Sequence, residues 1–125
     1  MNKSSFIITT AVILVVLVSP VVGQAGPRSH PVGEDAALNL LVRTLTRDHV
    51  YKNRISSDCI NYQTEETTDA YFQFLLREIH NAKCGGDPDT NPTVASYRVY
   101  RASHKIKWLK VTDDSWQAYD HQKVR

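Results

Sequence analysis

The sequence predicts an α+β fold: one N-terminal helix packed on a four-stranded antiparallel meander sheet, fastened by one disulfide. Three observations point there. Apolar residues over 33–46 recur at helical spacing, with Leu38, Leu41, Val42 and Leu45 on one face. From Cys59 to Val111 the period changes to alternation, in two hairpins joined by the loop Cys84-Gly85-Gly86-Asp87-Pro88-Asp89-Thr90-Asn91-Pro92. The chain also holds just two cysteines, Cys59 and Cys84.

In chain order, residues 1–25 read as a secretory signal peptide. Lys3 supplies the charge, Phe6 to Val18 is apolar apart from Thr9 and Thr10, and Ser19-Pro20 then leads into small residues. Cleavage after Gly23 or after Ala25 both fit. The apolar run falls short of the about 20 residues that a membrane-spanning helix needs, so no stable membrane anchor is expected once the leader is removed. The destination is periplasmic or secreted. Loss of Lys3 turns 15 basic against 13 acidic side chains into 14 against 13, a net charge of +1. That balance offers nucleic acid or anionic lipid no broad electrostatic attraction. About 100 mature residues make a single domain with one modest core, set here at 34–120 between a linker (26–33) and a flexible tail (121–125).

Glu34 and Asp35 suit the first turn of the helix and Arg43 and Arg47 its C-terminal end; His49 would continue the stripe if the helix ran on. Tyr51–Ser57 is polar and reads as a turn. The first hairpin uses Asp58–Gln63 and Asp69–Ile79, connected through Glu65-Glu66-Thr67-Thr68. Its second arm puts Ala70, Phe72, Phe74 and Leu76 on one face and Tyr71, Gln73, Leu75 and Arg77 on the other. Phe72, Leu75, Leu76 and Ile79 also fit a helix; aromatic enrichment decides for strand. The second hairpin uses Val94–Arg101 and Ile106–Val111, with Tyr97 and Val99 sharing a face. Asp113-Asp114 closes it, and Trp116 and Tyr119 are expected to fold back as a clamp. In an exported chain this small a cysteine pair means a disulfide. Closing its loop is worth about 3 kcal/mol in the chain-entropy account.

This element order resembles the cystatin-like group of folds, in which a curved antiparallel sheet wraps one helix; the Gln-x-Val-x-Gly signature of cystatins is not found. The pattern Arg77-Glu78-x-His80 with Cys84-Gly85-Gly86-Asp87-Pro88 is also similar to that of small exported proteins of unknown role. That resemblance implies no particular chemistry.

Glu78 and His80 share a face at the end of the most apolar strand, with Arg77 opposite. A carboxylate beside an imidazole can prepare a general base or a metal ligand, or simply hold a loop in place. Cys84 four residues beyond His80 invites a thiol nucleophile, but export and the second cysteine favour the disulfide. Asp87-Pro88-Asp89-Thr90-Asn91 imitates the start of an EF-hand. Pro92 and Arg98 occupy the places that need glycine and glutamate, which rejects it. A looser calcium site from Asp87, Asp89 and Asn91 stays open beside turn capping by the aspartates. The scattered histidines give no zinc pattern, and no cofactor is expected. Arg98, Arg101, Lys105 and Lys107 with Tyr97, Tyr100 and Trp108 could suit single-stranded nucleic acid. Export and charge balance argue instead for a basic hairpin able to meet an acidic protein surface.

The expected function is therefore a small exported, non-catalytic binding or inhibitor-type module acting on another envelope or secreted protein. Its candidate surfaces are Arg77, Glu78, His80, Asp87 and Asp89 around the loop, and Arg98, Arg101, Lys105 and Lys107 on the hairpin. The alternatives are a periplasmic enzyme using Glu78 and His80 in an open cleft, or a structural accessory subunit with an apolar patch on its sheet.

Overall fold

A computed structural model describes residues 30–124. The expected leader, the linker as far as residue 29 and Arg125 lie outside the described residues. Helix α1 spans Glu34–Arg47 and buries Ala37, Leu41, Thr44 and Leu45. The buried stripe is thus rotated from the expected one, leaving Leu38 and Val42 half-buried at its flank. Thr44 is tolerated inside because its hydroxyl donates to the Leu40 carbonyl at 2.8 Å.

The helix does not run on to His49. That residue takes a left-handed φ of 52°. The amides of His49 and Val50 donate back to the carbonyls of Thr46 and Leu45, each at 3.1 Å. This is a Schellman ending. It leaves His49 exposed and folds Val50 into the core with Leu45.

After a single 3₁₀ turn at Ser57–Cys59 come β1 (Ile60–Thr67), β2 (Tyr71–Glu78), β3 (Thr93–Tyr100), β4 (Ile106–Lys110) and β5 (Ser115–Ala118). They form one antiparallel sheet in sequence order. The α+β expectation holds, with five strands where four were expected. The fifth arises because Asp113-Asp114 does not merely end β4. Asp114 adopts φ 50°, Asp113 accepts hydrogen bonds from Lys110 Nζ (2.8 Å) and Ser115 Oγ (2.7 Å), and the chain reverses. Trp116 then pairs across from Leu109 instead of joining a clamp. Tyr119 does fold back, its hydroxyl donating to Asp48 at 2.9 Å. Val124, expected in the tail, packs against the core.

The first hairpin also differs in detail. Asp58 and Cys59 lie in the 3₁₀ turn, and Glu65–Thr67 belong to β1, which carries a bulge between Thr64 and Glu66. The Thr68 hydroxyl accepts from the amides of Ala70 and Tyr71 and makes the turn. As an edge strand, solvated along most of its length, β1 needs no apolar alternation, which hid its extent.

Phe72, Phe74 and Leu76 all face the core, as expected of a strand, and Phe72 and Phe74 lie opposite Val99 and Tyr97. Burying each such side chain is worth about 1.5–3 kcal/mol. The polar stretch 51–57 hides one more core residue: Tyr51 is 6% exposed, and its hydroxyl lies 2.6 Å from that of the fully buried Tyr97. Burial pushes the Tyr51 phenol up to about 12 and raises Tyr97 further still, so both stay neutral and share one hydrogen bond.

That geometry sets a mutational asymmetry. Tyr51→Phe should cost about 1–3 kcal/mol, because it strands the Tyr97 hydroxyl in the core. The double variant Tyr51→Phe/Tyr97→Phe should recover much of that loss. Urea denaturation of the two single variants and the double checks it; strictly additive losses would contradict a shared bond.

Candidate functional site

β2 delivers Arg77, Glu78 and His80 to the mouth of loop 81–92, and each is used to hold that loop. Arg77 Nη1 donates to the Asn91 carbonyl at 3.0 Å. The Glu78 amide donates to the Pro92 carbonyl at 2.9 Å, and the next amide, Ile79, to the Cys59 carbonyl at 2.8 Å. His80 sits at the centre, its side chain only 13% exposed. Its Nδ1 lies 2.9 Å from both the Asp87 carbonyl oxygen and Thr90 Oγ1, and its Nε2 lies 2.9 Å from Glu78 Oε2.

Both ring nitrogens therefore face oxygen acceptors, and an imidazole can donate to both only as the cation. The Glu78 carboxylate first, and the Asp87 carbonyl second, raise the His80 pKa above its ordinary value. The expected sharing of a face by Glu78 and His80 becomes a direct contact. It engages both His80 nitrogens and favours the imidazolium, so the ring stands as a post for the loop.

The loop is wound tightly around that post. Asn81 Oδ1 accepts from the amides of Lys83 and Cys84, each at 2.9 Å, and the Gly85 amide donates to the Asn81 carbonyl at 2.8 Å. Gly85 and Gly86 adopt φ of 76° and 80°, where residues with a Cβ are strained. At Gly86 a Cβ would also stand 2.6 Å from His80 Cγ. The backbone passes directly against the imidazole, which only glycine permits. Asp87 Oδ1 accepts from the Asp89 amide at 3.0 Å, so Asp87 caps a turn as one of the two readings supposed. Cys84 is joined to Cys59, with Cα atoms 5.6 Å apart, which closes the nucleophile reading. Two depressions of about 260 and 250 Å³ flank the post, one bordered by the disulfide and Lys83, the other by Pro88 and Asn91.

The hairpin cations do not gather into one surface. Arg98 lies on the outer face of the sheet between the rings of Tyr71 (4.3 Å) and Trp116 (4.0 Å), bonded to Gln73 at 2.8 Å. Arg101 turns toward the Phe72 ring (5.0 Å) and donates to the Thr68 carbonyl. Lys107 lies over Tyr100 at 5.2 Å, and Lys105 is exposed in the turn. Among the described residues no group of three or more His, Cys, Asp and Glu side chains is placed to hold a metal ion. Sequence reasoning overlooked Thr90 and Asn81. An asparagine two and three residues ahead of the amides it caps is the signal that could have found the latter.

No protein-family model, curated protein or solved structure matches the chain, so a functional reading has to rest on this geometry.

Two outcomes test the post. The folded His80 pKa lies above the ordinary 6.5. The stabilisation from its Glu78 and Asp87 contacts is therefore complete below about pH 6.5 and is lost as pH rises through the folded value. The melting-temperature advantage of the native protein over His80→Gln should shrink across that window, and a constant advantage would contradict the cationic state. Separately, Gly86→Ala should cost about 2 kcal/mol or more, of which roughly 1–2 is left-handed backbone strain. In a His80→Ala background, where the imidazole is gone, only the strain should remain. Chemical denaturation of the oxidised variants measures both.

Proposed function

We propose that the protein is a small exported, non-catalytic binding or inhibitor-type module whose recognition element is the disulfide-tied loop 81–92. One observation carries this reading. The loop's outer residues Gly85–Pro92 are all exposed, yet their backbone is fixed by the disulfide, two Asx-type turns and the His80 post. A surface segment ordered before it meets its partner loses little conformational entropy on binding. Such loops on rigid scaffolds are where recognition commonly resides.

Export is supported by the leader-like N-terminus and by the disulfide, and no helix among the described residues is long and apolar enough to cross a membrane. The order of one helix and a meander sheet supports a cystatin-like arrangement. The Arg-Glu-x-His and Cys-Gly-Gly-Asp-Pro segments, now seen to form one unit, support kinship with small exported proteins that share that pattern. The partner is another envelope or secreted protein rather than nucleic acid.

The loop is favoured over the hairpin because Arg98 is already engaged by Tyr71, Trp116 and Gln73, and Arg101 by Phe72 and the Thr68 carbonyl. It is favoured over an enzyme site because His80 has no nitrogen left for a substrate proton. An accessory-subunit role draws no support from the sheet, since the exposed large hydrophobic among the described residues is Val111, in the turn after β4.

Oxidised protein immobilised as bait against the envelope and secreted fractions of its own cells tests the reading. The native bait and Lys105→Glu/Lys107→Glu should retain the same partner, while Asp89→Lys/Pro88→Gly should lose at least about tenfold in affinity, the scale of a broken interface anchor. Retention by the loop variant with loss by the hairpin variant would overturn it.

A further inference from the structure

The described sheet ends in two edges, β1 and β5. β5 is four residues long, whereas β1 runs for eight and is exposed from residue 61 to 67 apart from half-buried Tyr62. An open strand edge presents main-chain groups able to pair with another strand, and proteins commonly blunt it with lysine or proline. The stretch Ile60-Asn61-Tyr62-Gln63-Thr64 holds neither, nor any charged side chain; the bulge and Glu65-Glu66 come only after it. Beneath this edge lies a cleft of about 240 Å³, lined by the end of α1, the segment 49–57 and β1, and by no described residue of β2 to β5. Leu45, Tyr51, Ile55, Ile60 and Tyr62 give it an apolar interior.

The pairing with β2 shows which main-chain groups of that stretch are open. The Ile79 amide donates to the Cys59 carbonyl, so residue 59 takes a hydrogen-bonded position against β2. Antiparallel strands alternate between bonded and non-bonded positions. The register Ile60↔Glu78, Tyr62↔Leu76 and Thr64↔Phe74 therefore puts these three at non-bonded ones, with their amides and carbonyls directed away from the sheet. The Ile60 amide turns back to the Ser57 carbonyl. That leaves the Tyr62 and Thr64 amides and the Ile60 and Tyr62 carbonyls along the open edge.

We infer that this edge pairs with the same edge of a second copy of the chain, antiparallel about a twofold axis at Tyr62, so that one sheet continues across both. The open groups are self-complementary in that register, as a closed twofold contact requires. The two Tyr62 residues exchange their amides and carbonyls, and each Thr64 amide donates to the other copy's Ile60 carbonyl. On the inner face the Tyr62 rings meet beside the two clefts and remove apolar surface from water. On the outer face Asn61 stands opposite the second copy's Gln63, amide against amide.

Charge selects the register. An axis at Thr64 would bring Glu65 of one copy within diagonal reach of Glu65 of the other, and an axis at Tyr62 keeps them apart. The carboxylates that then approach at the ends, Asp58 and the second copy's Glu66, each have a counter-ion within their own copy, Lys83 at 3.4 Å and Arg98 at 3.7 Å. Asn61 also borders the depression beside Pro88 and Asn91, so the second copy's Gln63 reaches the rim of the loop. The inference does not depend on what that loop binds.

Sedimentation equilibrium of the oxidised protein from about 10 μM to about 1 mM tests this, the range of affinities suited to an interface below standard size. A concentration-dependent equilibrium of monomer and dimer is expected. Hydrogen exchange at the high end should slow the Tyr62 and Thr64 amides at least about tenfold relative to the dilute protein. Asn61→Lys/Gln63→Lys, at two exposed positions, sets lysine against lysine twice across the axis and should weaken association at least about tenfold. Asn61→Lys/Gln63→Glu sets lysine against glutamate at the same places and should restore it. Circular-dichroism melts check that both variants are folded. A monomer at every concentration, a dimer whose Tyr62 and Thr64 amides exchange as in the monomer, or equal association by the two variants would overturn the assignment.

Discussion

The inner face of β2 and β3 is the constraint on which the remainder of the molecule depends. Phe72, Phe74 and Leu76 from one strand and Tyr97 and Val99 from the other form a wall that α1 covers with Ala37, Leu41 and Leu45. With a period of two, slipping either strand by one residue would turn its own inward-facing side chains to solvent. Register is therefore fixed there, and it propagates. Once β2 is locked, Glu78 and the residues after it must emerge at one defined corner, and so must the loop they hold.

At that corner the physics changes from burial to polar satisfaction. The loop 81–92 has no apolar residue in the core cluster, so it cannot be held by the hydrophobic effect. It is held by an imidazole with oxygens against both nitrogens, by two glycines that admit close contact, and by a covalent bond to the residue preceding β1. Each device answers a different need. The disulfide limits how far the loop can depart, Gly85 and Gly86 let the chain reach the imidazole, and His80 places its ring nitrogens against the Asp87 carbonyl and Glu78. Of the three, only His80 is a hydrogen-bond partner, and its removal would take from Glu78 Oε2 the inward-facing nitrogen it meets.

The same distinction explains what could be read in the sequence. The helix, β2, β3, β4 and the disulfide were legible because each rests on a pattern of spacing or on cysteine arithmetic. The grouping of Glu78 with His80 followed from strand alternation alone. What stayed hidden depends on non-local pairing or on single residues overriding a trend. β5 is four residues long and pairs only because Asp114 turns the chain. β1 extends through Glu65–Thr67 because an edge strand can be polar on both faces. Tyr51 is buried by a partner 46 positions away, which no local window reveals. The hairpin cations looked like a surface because sequence shows charge but not the aromatic rings and carbonyls that Arg98 and Arg101 find.

Segment 54–60 is where the two ends of this organisation meet. Ile55 and Ser56 border both the apolar cleft and the depression beside His80. Cys59 carries the disulfide and accepts from the Ile79 amide, and Ile60 follows as a cleft wall and the first residue of β1. A displacement of this segment could not reshape one side without moving the other, because packed interiors deform as units. The bond to Cys84 thus does more than shorten the unfolded chain. By fixing Cys59 against β2, it holds one wall of the cleft and one foot of the loop with the same pair of sulfurs.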